Sequence, residues 1–121
     1  IGVVNPLIAA IRKRGGTCLP CDLQMERTHW GDPVEKDMEK VLDSADGVIC
    51  TGMTLSNGTF DRVIERVLER SIPLTVYAQT GSAVAARFVG AGITSLVAEP
   101  FPFSQFSANA TRVFCYRGQG D

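Results

Sequence analysis

A short apolar run that leads through a polar loop into an amphipathic helix is the feature that most constrains how this chain can fold. Residues 48–51 are apolar or β-branched, Gly52 ends the run, and a helical pattern begins at Phe60. This order predicts a strand, a loop and a helix. In an open parallel sheet such a loop borders the ligand crevice. The stretch therefore predicts a fold class and also where a functional site lies.

The same alternation of patterns recurs along the chain. Strand patterns occupy residues 1–4, 17–22, 48–51, 74–78, 93–98 and 112–116. Helical patterns occupy residues 6–14, 34–45, 60–70 and 83–89, with a weaker one at 103–109. This alternation predicts a three-layer, Rossmann-like α/β domain with a mainly parallel sheet of five to six strands. Right-handed crossovers favour the strand order 3-2-1-4-5.

One helix has a particularly clear predicted start. Asp32 is the expected N-cap of the helix that carries the pattern at 34–45, which would begin with Pro33 at its first position and have Glu35 as the capping-box partner.

Length and charge limit the class of protein. The 121 residues, 45% of them hydrophobic, predict one domain over residues 1–117, followed by a frayed tail at 118–121. A formal net charge of -1 gives no electrostatic reason to expect nucleic acid or an anionic membrane as a partner. No apolar run approaches the ~20 residues of a membrane span. No signal peptide is visible, so the four cysteines are expected to be reduced thiols in a cytoplasmic protein.

Polar residues follow the predicted strands, and parallel strands would bring them to one edge of the sheet. Their hydroxyls, amides and backbone N–H groups suit a small polar or anionic ligand. Asn57 or Thr59 would cap the helix that begins at Phe60. The predicted ligand-binding residues are Asn5, Asp22, Thr51, Gly52, Thr54, Asn57, Gly58, Thr59, Gln79, Thr80, Gly81 and Ser82. The alternative is that these residue types are present only because turns and caps need them.

A dinucleotide site is a separate hypothesis. Asp22 follows Gly2 by about 20 residues, the spacing of the acid that reaches a ribose hydroxyl. However, the glycine fingerprint is absent, and Pro6 stands where the backbone would approach a pyrophosphate. Conventional NAD binding is therefore not predicted, and the cofactor is left open.

Cys18 and Cys21 have the spacing of a redox or metal-binding pair. Thioredoxin-type chemistry places its first cysteine at a helix N-terminus, whereas this pair falls in a predicted strand, where positions three apart face opposite ways. A structural zinc site would need four ligands, and no second pair is present. Buried, inert thiols are the favoured interpretation, with Cys18, Cys21 and His29 kept as candidate metal ligands.

His29 is the only histidine of the chain. With Asp22 it is a candidate acid–base group of an enzyme acting on a small metabolite. The competing interpretation is a loop histidine that packs on Trp30 or caps the next helix.

The segment from Asp46 to Asp61 resembles the C-terminal, Rossmann-like domain of the family described as "Putative heavy-metal chelation", whose members lack an established function. The similarity lies in the pattern Thr-Gly-x-Thr-Leu-x-Asn-Gly-Thr-x-Asp, and it extends from Ile1 to about Ala110. It implies a metal ion as a potential cofactor. It also implies a preceding N-terminal α+β domain, similar to the first domain of enolases, which is expected to be absent here. The usual Gly-Pro-Thr of the fourth loop is replaced by the residues at 78–80.

Three functional hypotheses follow. The first is binding of a polar or anionic metabolite, or of a metal chelate, at the loops after strands 3 and 4. The second is catalysis by Asp22 or His29. The third is a non-catalytic subunit that binds a partner protein through Phe101, Phe103 and Phe106. The expected partner is a small molecule, and a homo-oligomer or a partner domain is left open.

Overall fold

The computed structural model describes residues 1–52, 54, 58–78, 82–98 and 113–118. The chain divides into two compact units, Ile1–Ala45 and Asp46–Asp121. The single domain expected over residues 1–117 stays a prediction. No helix within the described ranges is long and apolar enough to cross a membrane.

The first unit contains two helices, α1 (Asn5–Lys13) and α2 (Met38–Ser44). The predicted strands at 1–4 and 17–22 are not strands in the structure; the second contributes only an isolated parallel bridge between Cys21 and Glu35. Proline has no N–H to donate, so Pro20 can take part only through its carbonyl, which accepts from the amide of Glu35. This interrupts the pairing that a strand would need.

Helix α2 begins later than its sequence pattern indicates. Its N-cap is Asp37, whose side chain accepts a hydrogen bond from the amide of Glu39. The prediction that Asp32 caps this helix is wrong, because the Asp32 carboxylate accepts hydrogen bonds from Arg12 and Thr28 instead. The segment after it is held in extended backbone, with the amide of Val34 donating to a carbonyl earlier in the loop.

The second unit is an α/β structure. Its elements in chain order are β1 (Val48–Thr51), α3 (Phe60–Arg70), β2 (Leu74–Ala78), α4 (Ser82–Ala86), β3 (Ser95–Ala98) and β4 (Phe114–Arg117). They form a four-stranded sheet in the order β1-β2-β3-β4. The first three strands are parallel, and β4 is antiparallel to β3.

The predicted α/β class with a mainly parallel sheet is confirmed, whereas the five to six strands and the order 3-2-1-4-5 are not. That order would place two strands between residues 48–51 and 74–78, but the structure pairs these two segments directly. The physical reason is that neither of the N-terminal segments forms a strand in the described sheet.

The core of the second unit follows from the register of the sheet. Cys50 lies beside Val76, which lies beside Leu96, and these residues share one face. All three are completely buried. The apolar stripe of α3 is buried too, at Phe60, Val63 and Val67. The ring of Phe60 meets that of Phe88 edge to face, with centroids 5.3 Å apart.

A close approach between α3 and the turn before β3 depends on a glycine. Gly92 has φ +114°, and a Cβ built there would lie 2.7 Å from Cδ1 of Ile64. Gly90, in the same turn, has φ +85° but open space around it.

Candidate functional site

The carboxyl ends of β1, β2 and β3 lie at one edge of the sheet because these strands run parallel. In the register, Thr51 lies beside Tyr77, and Tyr77 lies beside Val97. The amide of Gly52 continues the pairing by donating to the carbonyl of Tyr77, at 3.1 Å. The loop that leaves β1 therefore starts at this shared edge, which we call the carboxyl edge.

Thr54 lies in the segment between β1 and α3. Its side chain is buried, and its hydroxyl donates to the carbonyl of Thr51 at 3.0 Å. The same hydroxyl lies 3.8 Å from Sγ of Cys50. The carbonyl of Thr54 accepts from the amide of Thr59 at 3.1 Å, just before α3. Thr54 thus connects the end of β1 with the residue that precedes α3.

The hydroxyl of Thr51 is the unusual polar group of the carboxyl edge. In the part of the chain that the structure describes, its Oγ1 is buried and has no hydrogen-bond partner. Buried polar groups are normally paired, since an unpaired one loses its hydration without compensation. An unpaired hydroxyl at a strand end is therefore a group that a ligand could satisfy.

Helix α3 begins beside this loop. Its N-cap, Thr59, has αR backbone and makes no side-chain capping hydrogen bond. The first N–H groups of a helix have no partner inside the helix, and together with the helix dipole they favour acceptors or anions. Asp61 is the only acidic residue of the first turn, and its negative charge already offsets part of this positive potential. Gly58 precedes the N-cap with φ +77°, exposed and with open space around it.

Several predicted site residues lie outside the described residues. These are Asn57, Gln79, Thr80 and Gly81, and also the aromatic residues Phe101, Phe103 and Phe106 of the partner-binding hypothesis. Ser82 begins α4. Thr51, Gly52, Thr54, Gly58 and Thr59 are described, and they belong to one continuous segment of the second unit.

Asp22 lies in the first unit, where backbone groups surround its carboxylate. Oδ2 accepts from the amide of Val3 at 3.0 Å, and Oδ1 accepts from the amides of Gln24 and Met25 at 2.9 and 3.2 Å. Burial alone would raise the pKa of Asp22, but these three donors stabilise the charged form and the net pKa is lowered. Asp22 is thus an ionised anchor for the backbone around it.

A hydrogen bond joins the side chain of Asn5 to the backbone of His29. The amide of His29 donates to Oδ1 of Asn5 at 3.1 Å, so the start of α1 holds this loop. The imidazole meets Trp30 edge to face, with centroids 5.6 Å apart. This contact is the one expected if His29 is a packed loop residue; its role as an acid–base group stays a prediction.

Arg12 holds the other end of the same loop, a role that the sequence did not indicate. Its guanidinium lies 2.9 Å from Oδ2 of Asp32 and 5.2 Å from the ring centroid of Trp30. Thr28 donates its hydroxyl to the same carboxylate oxygen. The Arg12 hydrogen bond is the main cause of the lowered pKa of Asp32. Arg12 and Asp32 are 20 residues apart, so no local spacing could reveal the pair.

The cysteines are free thiols. Burial raises the pKa of Cys18 and of Cys21, and that of the more deeply buried Cys50 as well. Within the described residues, no group of three or more His, Cys, Asp or Glu side chains could hold a metal ion. Cys18, Cys21 and His29 therefore do not form a described metal centre.

Comparisons with known proteins give a family and no closer relative. No curated protein and no solved structure matches the chain. The match to a family model does not bear out the expectation that the chain corresponds to the C-terminal domain of its family. The match covers residues 1–96, most of the chain, so the protein belongs to the family described as "Putative heavy-metal chelation".

Proposed function

We propose that this protein binds a small polar or anionic metabolite, or a metal chelate of such a molecule, at the carboxyl edge. The segment after β1 and residues 79–82 would hold it. The observation that carries the proposal is the hydroxyl of Thr51, which is buried and has no hydrogen-bond partner among the described residues. Thr51 lies where three parallel strands end. In Rossmann-like arrangements ligands lie outside the carboxyl ends of the strands, which supports this place.

The donors at this edge favour one kind of ligand group. Threonine hydroxyls and backbone N–H groups are hydrogen-bonding partners for oxygen, and they are poor ligands for soft metal ions. Asp61 in the first turn of α3 adds a negative charge. A carboxylate, a single phosphate or a polar neutral group therefore suits the edge better than a polyphosphate, whose charge would be repelled by Asp61.

The hypothesis of an enzyme that uses Asp22 gains no support from its surroundings. A carboxylate that accepts three backbone hydrogen bonds and has a lowered pKa is a poor proton donor near neutral pH. The proposal is therefore binding, with His29 as the remaining acid–base candidate. The cytoplasmic location expected from the free cysteines is kept as part of it.

The test is a binding experiment that reads individual backbone amides. We would record amide NMR spectra of the protein with acetate, larger carboxylic acids, inorganic phosphate, nucleoside monophosphates and neutral sugars. Binding at the carboxyl edge should shift the amides of Gly52, Gly58 and the first turn of α3. Ligands that shift only amides of the first unit, or none at all in a folded protein, would contradict the proposal.

A pair of variants then tests the hydroxyl itself. Thr51→Val keeps the side-chain shape and removes the donor, so it should weaken the ligand about tenfold, the effect of losing one hydrogen bond worth about 1.4 kcal/mol. The matched control is Thr75→Val in β2, where the hydroxyl lies 2.8 Å from Oγ of Ser95 and belongs to an earlier row of the sheet. Equal affinity losses in both variants would show that Thr51 has no special role.

A further inference from the structure

The family description points to heavy-metal ions, which prefer thiolate and imidazole ligands. The chain has four cysteines and one histidine, and all five lie among the described residues. The structure therefore gives the surroundings of every thiol and of the imidazole.

We infer that the four cysteines and the histidine of this chain do not form a heavy-metal site, and that these thiols, this imidazole and the carboxylates beside them serve the fold. This inference disagrees with the description of the family. It is independent of the proposed ligand at the carboxyl edge, which uses other residues.

The two cysteines of the second unit cannot share a metal ion. Cys50 is on β1, and its register places it on the same face as Val76 and Leu96, all three of which are completely buried. Cys115 is on β4 beside Val97, so it lies on the opposite face. Three strand spacings separate β1 from β4, about 14 Å in total. Zinc–sulfur bonds are only ~2.3 Å long, so one ion cannot reach both sulfurs.

The thiols of Cys18 and Cys21 are partly or fully buried in the first unit. Only 3% of Cys21 is exposed, and its carbonyl accepts from the amide of Gly2 within the packed backbone. Metal ions bind the thiolate form, which burial disfavours at both residues by raising the pKa. A metal ion has little access to the buried Cys21, which leaves the partly buried Cys18 without the second sulfur of the pair.

Carboxylates near these thiols are already engaged. Those of Asp22 and Asp32 accept the hydrogen bonds described above from backbone amides, from Arg12 and from Thr28. Glu35 accepts from the amides of Lys36 and Asp37, and Asp37 caps α2. These contacts give each of the four acids a part in shaping the local backbone, and no group of three potential ligands includes them within the described residues.

His29 is the remaining one of these five residues. Its ring packs against Trp30, and its backbone is held by Asn5. No cluster of three potential ligands includes it within the residues that the structure describes. A single imidazole or a single thiol gives monodentate contact, whereas a chelating site needs several ligands on one ion.

The experiment uses the whole chain with its thiols kept reduced. Cd²⁺ or Zn²⁺ is titrated in the presence of nitrilotriacetate as a competing chelator. Bound metal is measured by elemental analysis after gel filtration, and thiolate–cadmium bonds by their near-ultraviolet charge-transfer absorption. We expect no retained metal and no absorption band. One equivalent per chain, or one per two chains, retained against the competitor would overturn the inference.

Comparing metal retention in variants and in the parent protein identifies the residues that bind any retained metal. The double variant Cys18→Ser/Cys21→Ser and the single variant His29→Ala should behave like the parent, and Cys115→Ser is the control for reaction at an exposed thiol. A metal signal in the parent that disappears in the double variant would identify the first unit as a chelating site and refute the inference. The decisive titration is on the parent protein, so it does not depend on whether Cys21→Ser folds.

Ligand shifts at Gly52, Gly58 and α3 are measured separately, in metal-free buffer. A protein that retains metal and still shifts these amides would overturn only this inference. A protein that retains no metal and shows no shifts would overturn only the proposed function.

Discussion

Replacing Thr51 by valine should stabilise the protein, although most substitutions at a structured position destabilise it. The change removes a hydroxyl oxygen that is buried and has no partner among the described residues. Valine has nearly the same shape and is at least as favourable in a strand. The folded state therefore loses an uncompensated desolvation cost and little else.

The expected magnitude comes from the exposure of the side chain. Leaving a buried polar group unsatisfied costs roughly 1–3 kcal/mol. Thr51 is only half-buried as a residue, so the lower end applies, and Thr51→Val should raise the free energy of unfolding by about 1 kcal/mol. For a chain of 121 residues that corresponds to an increase of about 4 °C in Tm.

Thr54→Val is the matched comparison, three residues further along. Its hydroxyl is buried too, but it donates to the carbonyl of Thr51 and contacts Cys50. Its removal should lower the free energy of unfolding by about 1 kcal/mol. The same chemical change is thus expected to have opposite signs at two neighbouring positions.

Urea unfolding followed by circular dichroism measures both variants. The midpoints should move in opposite directions, with m values equal to that of the parent so that the shifts report stability alone. If Thr51→Val is destabilised as much as Thr54→Val, the hydroxyl of Thr51 is hydrogen-bonded. The proposed binding site would then lose the observation on which it rests.

Two further predictions concern the backbone. Asp22→Asn should lower the free energy of unfolding by about 1 kcal/mol at neutral pH, since three amides lose a charged acceptor that is partly exposed. Because the pKa of Asp22 is lower in the folded state, its ionised carboxylate stabilises the fold at pH values above the unfolded-state pKa of about 3.9. This contribution is lost as the pH falls through the folded-state pKa. The urea midpoints of parent and variant should therefore converge below about pH 4. Gly92→Ala should cost roughly 2–4 kcal/mol by thermal unfolding, because strain at positive φ is joined by a clash with Ile64, whereas Gly90→Ala should cost only about 1 kcal/mol. Equal losses of unfolding free energy in the two variants would show that the clash with Ile64 has no effect.

The segment from β1 to β2 was predicted well because its information is local. The apolar run at 48–51, the stripe of α3 and the run at 74–78 each carry the period of their structure, and the structure has all three elements there. Neighbouring hydrophobic side chains decide such periodic elements, so the sequence is sufficient for them.

Predictions failed where distant residues decide the structure. Asp32 has the residue type of an N-cap, but Arg12 and Thr28 take its carboxylate, and α2 starts at a different cap. The segment at 17–22 has strand composition, yet a strand exists only if a partner pairs with it along its length. At the candidate site the sequence indicated the loop after β1, but it gave no sign of which hydroxyl would be left unpaired.

The different environments of Asp22 and Thr51 show why residue type alone could not rank the candidate site residues. Asp22 has the spacing of a ribose-binding acid, yet three backbone amides from two segments occupy its oxygens. A carboxylate has about four acceptor positions, so most of its capacity is used before any ligand arrives. Thr51 carries no charge and matches no strong motif, but its hydroxyl is buried and unpaired within the described chain. Binding to Thr51 would satisfy a group that the fold leaves unpaired, whereas binding to Asp22 would compete with hydrogen bonds that the fold already makes.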